Sequence, residues 1–516
     1  MKKTHLAPLL LLLAACTLDE HPRDQIPEEQ ILTTATGLYR NTVATLYSYI
    51  GGDQDGQGLQ GTCRGVYDLQ TFGSDEAMLP TRGTDWYDGG LWQDMYRHTW
   101  TAGHDLMKNA WLYLYKVIAL CNRSLQQLDS HRHILTATQL QQYQAEVRAI
   151  RAIYYWYLID FFGPVPLVTS PDASMQEVRQ STRQQVFQFA VDELQATLPL
   201  LAPENSTHPG DYYGRVTQPV ALFVLAKLML NAQIYSGTPQ WEQTIRYCNQ
   251  LEEMGYRLEP NYEDNFAVHN ETSVENIWTI PLDHHLYRSQ QQNLFRSYHY
   301  RHAAAYGFTG ENGSCATLTT LRIFGYDTPD VDTRFALNYW AGVVTDLNGD
   351  TVPDRNGRPL TYQPWAVQMD LSGTPYAETA GARMKKYQVD KNALKDGKLM
   401  DNDIVLFRFA DVLLMRAEAT IRCGRDAQAD YDRVRLRAGM PTRPATLPNL
   451  LDERLLELCW EGWRRQDLIR FHQYRSPYQG DGQTAPIDET DGHTTLYPIP
   501  ADIRALNSNL KQNPGY

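Results

Sequence analysis

Cysteine is scarce and scattered in this 516-residue chain: seven residues, none in C-x-x-C spacing. That spacing excludes a zinc ribbon and a thioredoxin-type motif, and a chain of this length has no need of a disulfide framework. Cys63, Cys121, Cys248, Cys315, Cys423 and Cys459 read as mostly buried thiols, with one or two bridges left open and unassignable. Catalytic signatures are missing too. There is no H-E-x-x-H, no G-x-S-x-G and no phosphate loop, and the adjacent His284 and His285 point poorly for joint metal ligation on a helix or a strand. A pair of carboxylates about 5 to 10 Å apart would suffice for glycoside hydrolysis. Sequence spacing cannot reveal one, and among 60 acidic residues some pair will always qualify. Basic charge is in deficit: the formal charge is −13, which becomes −15 without Lys2 and Lys3. An acidic surface repels phosphates, so nucleic acid is not an expected partner. The N-terminal apolar run, residues 6–13 broken by Pro8, falls well short of the roughly 20 residues that span a bilayer.

What is present begins at that same N-terminus. Met1-Lys2-Lys3 is followed by the apolar run and then by Leu13-Ala14-Ala15-Cys16, the order of charge, apolar stretch and small-residue cleavage site found in secretory signals. The cysteine makes residues 1–15 resemble a bacterial lipoprotein signal, cut before Cys16 and lipidated there; the alternative is an ordinary signal with a chance cysteine. Residues 16–34 are polar and broken by Pro22 and Pro27, a tether that buries no core. Its early Asp19-Glu20 resembles the export signal of Bacteroidetes surface lipoproteins. The expectation is a chain held to the outer membrane by its lipid, facing the extracellular side.

Composition, 42% hydrophobic and 21% charged, is that of a globular protein with one large or two medium domains. Texture divides it into a helical block over 35–254, an irregular block over 255–401, a second helical block over 402–475 and an extended segment over 476–516. In the first, Val147, Ile150, Tyr154, Tyr157 and Phe161 share one face of a helix over 138–162, which Gly163-Pro164-Val165-Pro166 ends. Further helices are expected near 105–129, 182–198, 216–236 and 240–254. The fold class is mainly α: helical hairpins stacked as in tetratricopeptide arrays, although no clean period of about 34 residues survives. The irregular block, rich in Gly, Asn, Asp, Pro and aromatics, has minor strands such as Ile277-Trp278-Thr279-Ile280 and is where a ligand-facing surface is expected. In the second helical block Phe407, Ala410, Leu414, Ala417 and Ile421 form a stripe, and a last long helix is expected over 448–471.

Five segments then carry a resemblance. Glu146-Val147-Arg148-Ala149-Ile150-Arg151-Ala152 with Phe162-Gly163-Pro164-Val165-Pro166, and Arg408-Phe409-Ala410-Asp411 through Glu418-Ala419, resemble signatures of the SusD/RagB family. So do Glu453-Arg454 through Asp467-Leu468, Tyr497-Pro498-Ile499-Pro500, and Gln512-Asn513-Pro514-Gly515-Tyr516; Asn507-Ser508 departs from the usual Asn-Pro. The resemblance implies a tetratricopeptide-like surface lipoprotein without catalysis. Such a protein captures glycan and hands it to a SusC-like TonB-dependent outer-membrane transporter. A peptide-binding receptor or protein-interaction subunit of such a transporter is the alternative. The motif charges Arg148, Arg408, Asp411, Glu418, Glu453 and Arg464 read as braces within the scaffold rather than ligand contacts.

Ligand contacts are expected in loops, where exposed rings can meet the C–H faces of sugars and flanking polar groups their hydroxyls. Arg82, Asp85, Trp86, Tyr87 and Trp92 lie in one Gly/Asp-rich loop; Trp92 reads equally as core of the next element. Trp86→Ala is expected to weaken binding with little change in melting temperature. Tyr298, Tyr300, Tyr306 and Asn312, near Asn293, Arg296, Arg301 and Phe308, could complete an aromatic cradle. Asp346, Asn348, Asp350 and Asp354 occupy first, third, fifth and ninth positions of a calcium-like loop. Thr351 and Gly357 replace its glycine and glutamate, and a hairpin cornered on Asn348-Gly349 is the favoured reading. No other cofactor is expected.

Overall fold

A computed structural model of the chain describes residues 32–52, 56–174, 176–286, 291–392, 400–475 and 492–516. Cys16, the signal segment and the tether up to residue 31 lie outside the described residues.

The scaffold is built from helical hairpins. Helices α1 (Asp105–Ser130) and α2 (Ala137–Phe162) pack side by side, and α2 packs on α3 (Arg183–Thr197). Both α2 and α3 start on a Thr-x-x-Gln capping box, Thr136 with Gln139 and Thr182 with Gln185, in which each side chain satisfies an otherwise orphaned N–H of the other's backbone. Helix α2 stops at Gly163, whose φ of +67° suits glycine; a Cβ there would meet Leu496 at 2.7 Å. Helix α4 (Gln218–Leu230) is apolar nearly all round, and every residue from 219 to 230 is buried because neighbours cover each of its faces. It packs on α5 (Trp241–Glu253), which packs in turn on α6 (Phe409–Arg422); α7 (Gln428–Arg437) and α8 (Leu447–Leu458) close over α6.

Two sequence expectations are corrected here. The long helix over 448–471 is two, α8 and α9 (Arg464–Arg470), separated by a turn in which Trp460 and Gly462 take positive φ. Phe407 belongs to a strand rather than to the α6 stripe. Strand β1 (Asn276–Ile280) pairs antiparallel with β2 (Ile404–Arg408), setting Ile280 opposite Ile404 and Asn276 opposite Arg408. This ladder pins the two ends of the irregular excursion together at its base.

Buried charge fixes the excursion to the scaffold. Arg408 binds Glu275 from the excursion at 2.7 Å, and Glu457 and Glu461 from the scaffold at 2.6 and 2.8 Å. Arg334 of the excursion reaches Glu453 and Glu457 at 2.8 and 2.9 Å, and Lys386 reaches Glu461 at 2.5 Å. Within the scaffold Asp411 pairs with Lys227 and Arg454, Glu418 with Arg470 and Arg422, Arg148 with Glu193, and Arg464 with Asp75. The motif charges thus brace the fold, although Arg408 does so from the end of strand β2 rather than from a helix. The six cysteines after Cys16 are all free thiols. Among the described residues, no helix is long and apolar enough to cross a membrane.

Candidate functional site

The loop that carries Trp86 begins with a tight turn. Arg82 N–H donates to the Asp85 carbonyl at 2.9 Å and Asp85 N–H returns to Arg82 at 3.2 Å, with Gly83 at φ +69°. Trp86 and Asp88 continue at positive φ, so the chain doubles back and sends neighbouring side chains in opposite directions. The Trp86 indole N–H donates to the Glu311 carbonyl at 2.9 Å, and its ring lies so close to Gly313 that a Cβ there would come within 2.8 Å. Tyr87 points outward and is 52% exposed. Asp85 is exposed and accepts the Tyr300 hydroxyl; burial and then that carboxylate push the Tyr300 phenol up, so it stays a donor.

Tyr300 opens a short helix, Tyr300–Ala305, and Tyr306 caps its far end, so about 9 Å of helix separates the two rings' positions. Tyr306 faces a cavity of about 470 Å³, lined also by Trp340, Leu347, Lys385, Glu263 and Gln388. Tyr306 and Trp340 stand nearly edge to face at 6.1 Å. Behind them the Trp340 indole N–H donates to the Tyr298 hydroxyl at 2.7 Å, and Lys385 lies 4.6 Å from the Trp340 ring centre. Burial lowers the Lys385 pKa, with Glu263 acting the other way. His302 packs under Tyr306 and Trp340; burial, His299 and Arg383 depress it to about 3, so it is neutral.

Four of the expected contact residues are not surface groups. Trp92 is core: its ring packs edge-on against Phe72 and its N–H donates to Asp88. Tyr298 is fully buried beneath Trp340, Phe308 and Tyr306. Arg82 is buried and spends its guanidinium on the Gly313, Ala377 and Ala380 carbonyls, and burial followed by Arg383 lowers its pKa to about 9. Asn312, at φ +50°, is buried in a turn whose N–H donates to the Tyr298 carbonyl. Each holds its loop in place; of the four, Tyr298 alone borders the Tyr306–Trp340 cavity, at its buried floor. Asp85, Trp86, Tyr87, Tyr300 and Tyr306 remain at the surface, Trp86 only in part.

Sequence reasoning passed over Trp340, Trp365 and Tyr376. The last two are each 44% exposed, on the stretch that runs beside Thr81 and Arg82, where Leu371 N–H donates to the Thr81 carbonyl. Trp340-Ala341-Gly342 and Gln363-Pro364-Trp365 have the same aromatic, turn-forming texture that singled out the Trp86 loop, a signal that would have found them.

The calcium-like loop is a pair of repeated hairpin turns. Asp346 Oδ1 accepts from Asn348 and Asp350 N–H, and eight residues on Asp354 Oδ1 accepts from Asn356 and Arg358 N–H in the same pattern. Gly349 and Gly357 supply the positive φ of each turn. Val344, Val352, Leu360 and Tyr362 form a small separate core beneath them. Asp346, Asp350 and Asp354 do not converge into a three-ligand group. The group that does, among the described residues, is His284, Asp390 and Asp401. There His284 Nδ1 lies 2.7 and 2.8 Å from the two Asp401 oxygens, a hydrogen-bonded pair in which the carboxylate raises the histidine.

Comparison with known proteins agrees with this architecture. A family model described as "SusD family" matches residues 361–516, and one described as "Starch-binding associating with outer membrane" matches residues 67–230. The starch-binding protein SusD of Bacteroides thetaiotaomicron is 28% identical over 429 residues, 75% of each chain. A SusD-like protein of Bacteroides ovatus is 25% identical over 464 residues, 79% of this chain and 77% of the other. In solved structures, the fold matches a laminarin binding SusD-like protein (TM-score 0.71, 21% identity, 94% of this chain and 100% of the other). It also matches the surface glycan-binding protein A of Bacteroides thetaiotaomicron in complex with laminarihexaose (TM-score 0.72, 20% identity, 93% and 100%). With the family signatures in order from Glu146 to the C-terminal tyrosine, the scaffold they build and these matches, the chain belongs to the SusD/RagB family.

Proposed function

We propose that this protein is a non-catalytic glycan-binding lipoprotein of the outer membrane, facing the cell exterior, which captures an oligo- or polysaccharide and delivers it to a SusC-like TonB-dependent transporter. The observation that carries the reading is the cleft beside Tyr306 and Trp340: two half-buried rings set edge to face, flanked by Lys385, Glu263 and Gln388, with Asp85, Tyr87 and Tyr300 one short helix away. Rings that are rigid yet open on one side stack on sugar C–H faces, and the flanking groups exchange hydrogen bonds with ring hydroxyls. Contacts of this kind are few and wet, which favours modest affinity and permits release to a partner. Three of the named relatives are named for binding starch, laminarin or glycan, and one matching family model is described as associating with the outer membrane. The acids lining the cleft, Glu263 and Asp264, are chain neighbours, whereas glycoside hydrolysis calls for carboxyl groups on both sides of the bond.

The test is isothermal titration of the lipid-free chain against soluble polysaccharides and peptides, with each mixture assayed for cleavage. Saccharide binding without new reducing ends is the expected result, and Tyr306→Ala/Trp340→Ala should weaken it at least ten-fold. Peptide binding alone would replace this reading with that of a peptide receptor.

A further inference from the structure

A second hollow, of about 300 Å³, lies at the base of the excursion, between the N-terminal helices over 35–51, the 211–215 loop and the end of β1. Its walls include three tyrosines, Tyr39, Tyr47 and Tyr213, and its rim includes Ser48, Asp211 and Arg215. Two of the rings are anchored from behind by buried carboxylates. The Tyr47 hydroxyl donates to Glu146, and the Val216 N–H donates to that hydroxyl at 2.8 Å. Glu146 also takes both ends of the Arg215 guanidinium, at 2.9 and 2.5 Å. Arg215 in turn lies against the Tyr39 ring at 5.2 Å. The Tyr213 hydroxyl donates to Asp403, a buried carboxylate that also accepts the Leu282 N–H at 2.9 Å and the Thr279 hydroxyl at 3.1 Å.

These bonds use the polar ends of Tyr47 and Tyr213, whose side chains line the hollow. Among the described residues, none bonds to the Ser48 hydroxyl, the Tyr39 hydroxyl or the Asp211 carboxylate. Rigid aromatic walls and a few unspent hydroxyl and carboxylate groups at the mouth are what a sugar ring requires. The charge pattern chooses the kind of sugar. Arg215 is already neutralised by Glu146, whereas Asp211 stands exposed at the rim, so a uronate or sulfated sugar would meet net repulsion. The volume lies at the lower end of small-molecule pockets and suits about one or two sugar units rather than a chain threading through.

We propose that this hollow is a second, independent binding site for a neutral sugar unit, separate from the Tyr306–Trp340 cleft; the choice of ligand class rests on the saccharide reading above. Two sites that share no lining residue would hold one polysaccharide at two points, and the second capture would then occur at the effective concentration set by the glycan between them.

The experiment takes the soluble oligosaccharide that binds the wild type most tightly among maltoheptaose, laminarihexaose and the remaining panel, and titrates it into Tyr306→Ala/Trp340→Ala. A weaker, saturable isotherm should remain, and adding Ser48→Ala/Asp211→Ala should reduce that residual affinity at least five-fold; neither of these last two side chains braces the core. Ser48→Ala/Asp211→Ala alone should leave the tighter isotherm within two-fold. Complete loss of binding in folded Tyr306→Ala/Trp340→Ala, or residual binding indifferent to Ser48 and Asp211, overturns the second site and leaves the first reading standing. Failure of every saccharide to bind the wild type overturns both.

Discussion

Tyr87 and Trp86 are neighbours with different duties, and substitution separates them. Tyr87 is half exposed, so Tyr87→Ala should lower saccharide affinity several-fold while changing stability by less than about 0.5 kcal/mol. Trp86 is partly buried against Gly313 and bonded to Glu311, so Trp86→Ala should cost about 2 kcal/mol in urea unfolding. That revises the expectation, drawn from the loop's composition, that its loss would leave the melting temperature alone. Glu76 sets a pH dependence. Burial, against one hydrogen bond from the Trp460 N–H, pushes its carboxyl from 4.5 up to about 7. In the folded state it keeps a proton that the unfolded chain gives up. Its contribution is therefore complete below about pH 4.5 and disappears as pH rises to 7, a change of about 3 kcal/mol. Asp403, raised by burial from 3.8 to about 6, adds a slope of the same sign over a lower window. Glu457 acts oppositely: burial is outweighed by Arg437, Arg408 and Arg334, its pKa falls, and its contribution is lost in acid. Glu76→Gln should flatten the fall in stability between pH 4.5 and 7 in urea melts at several pH values; an unchanged slope would show that Glu76 ionises freely.

At the scale of elements, Arg408 joins the excursion to the scaffold. It closes strand β2, N-caps α6 and binds three buried glutamates from two parts of the chain. Arg408→Ala leaves Glu275, Glu457 and Glu461 short of a counter-charge, and should cost about 3–5 kcal/mol in equilibrium unfolding; a cost below 1 kcal/mol would mean that Arg437, Arg334 and Lys386 suffice. How much of this was legible in the sequence follows from periodicity. Helices α1 to α3 and α5 could be placed within a residue or two because Thr-x-x-Gln boxes, apolar stripes and Gly163 act locally. The break between α8 and α9 was hidden, since residues 459–463 contain no proline and Trp460 turns at positive φ because its surroundings hold it there. Phe407 keeps helical spacing with Ala410 and Leu414, yet its partner strand lies more than a hundred residues earlier, at a distance that no local pattern encodes. Of the candidate site, the exposed rings were legible in kind and less so in detail. A Gly/Asp loop rich in rings announces itself, but whether Trp92 or Tyr87 faces water depends on φ at Trp86 and Asp88. Trp340 becomes a platform only through packing against Tyr298 and His302 from another segment.

For the whole molecule, the division of labour is between a helical frame braced by buried charge and an excursion that carries half-exposed aromatics. The frame accounts for the family signatures, whose charged residues are paired with one another or with residues such as Glu193, Asp75 and Glu275. In the function proposed above, the excursion and the Trp86 loop set ligand choice. The central claim is that the Tyr306–Trp340 cleft captures saccharide without cutting it. Its most direct test is a calorimetric titration of soluble polysaccharides into the lipid-free wild type and into Tyr306→Ala/Trp340→Ala, with thermal melts confirming that both are folded and reducing-end assays on every mixture. Saturable binding to the wild type, weakened at least ten-fold in the double variant and with no new reducing ends, is the predicted result. Undiminished binding in the folded double variant, or release of product, would contradict it.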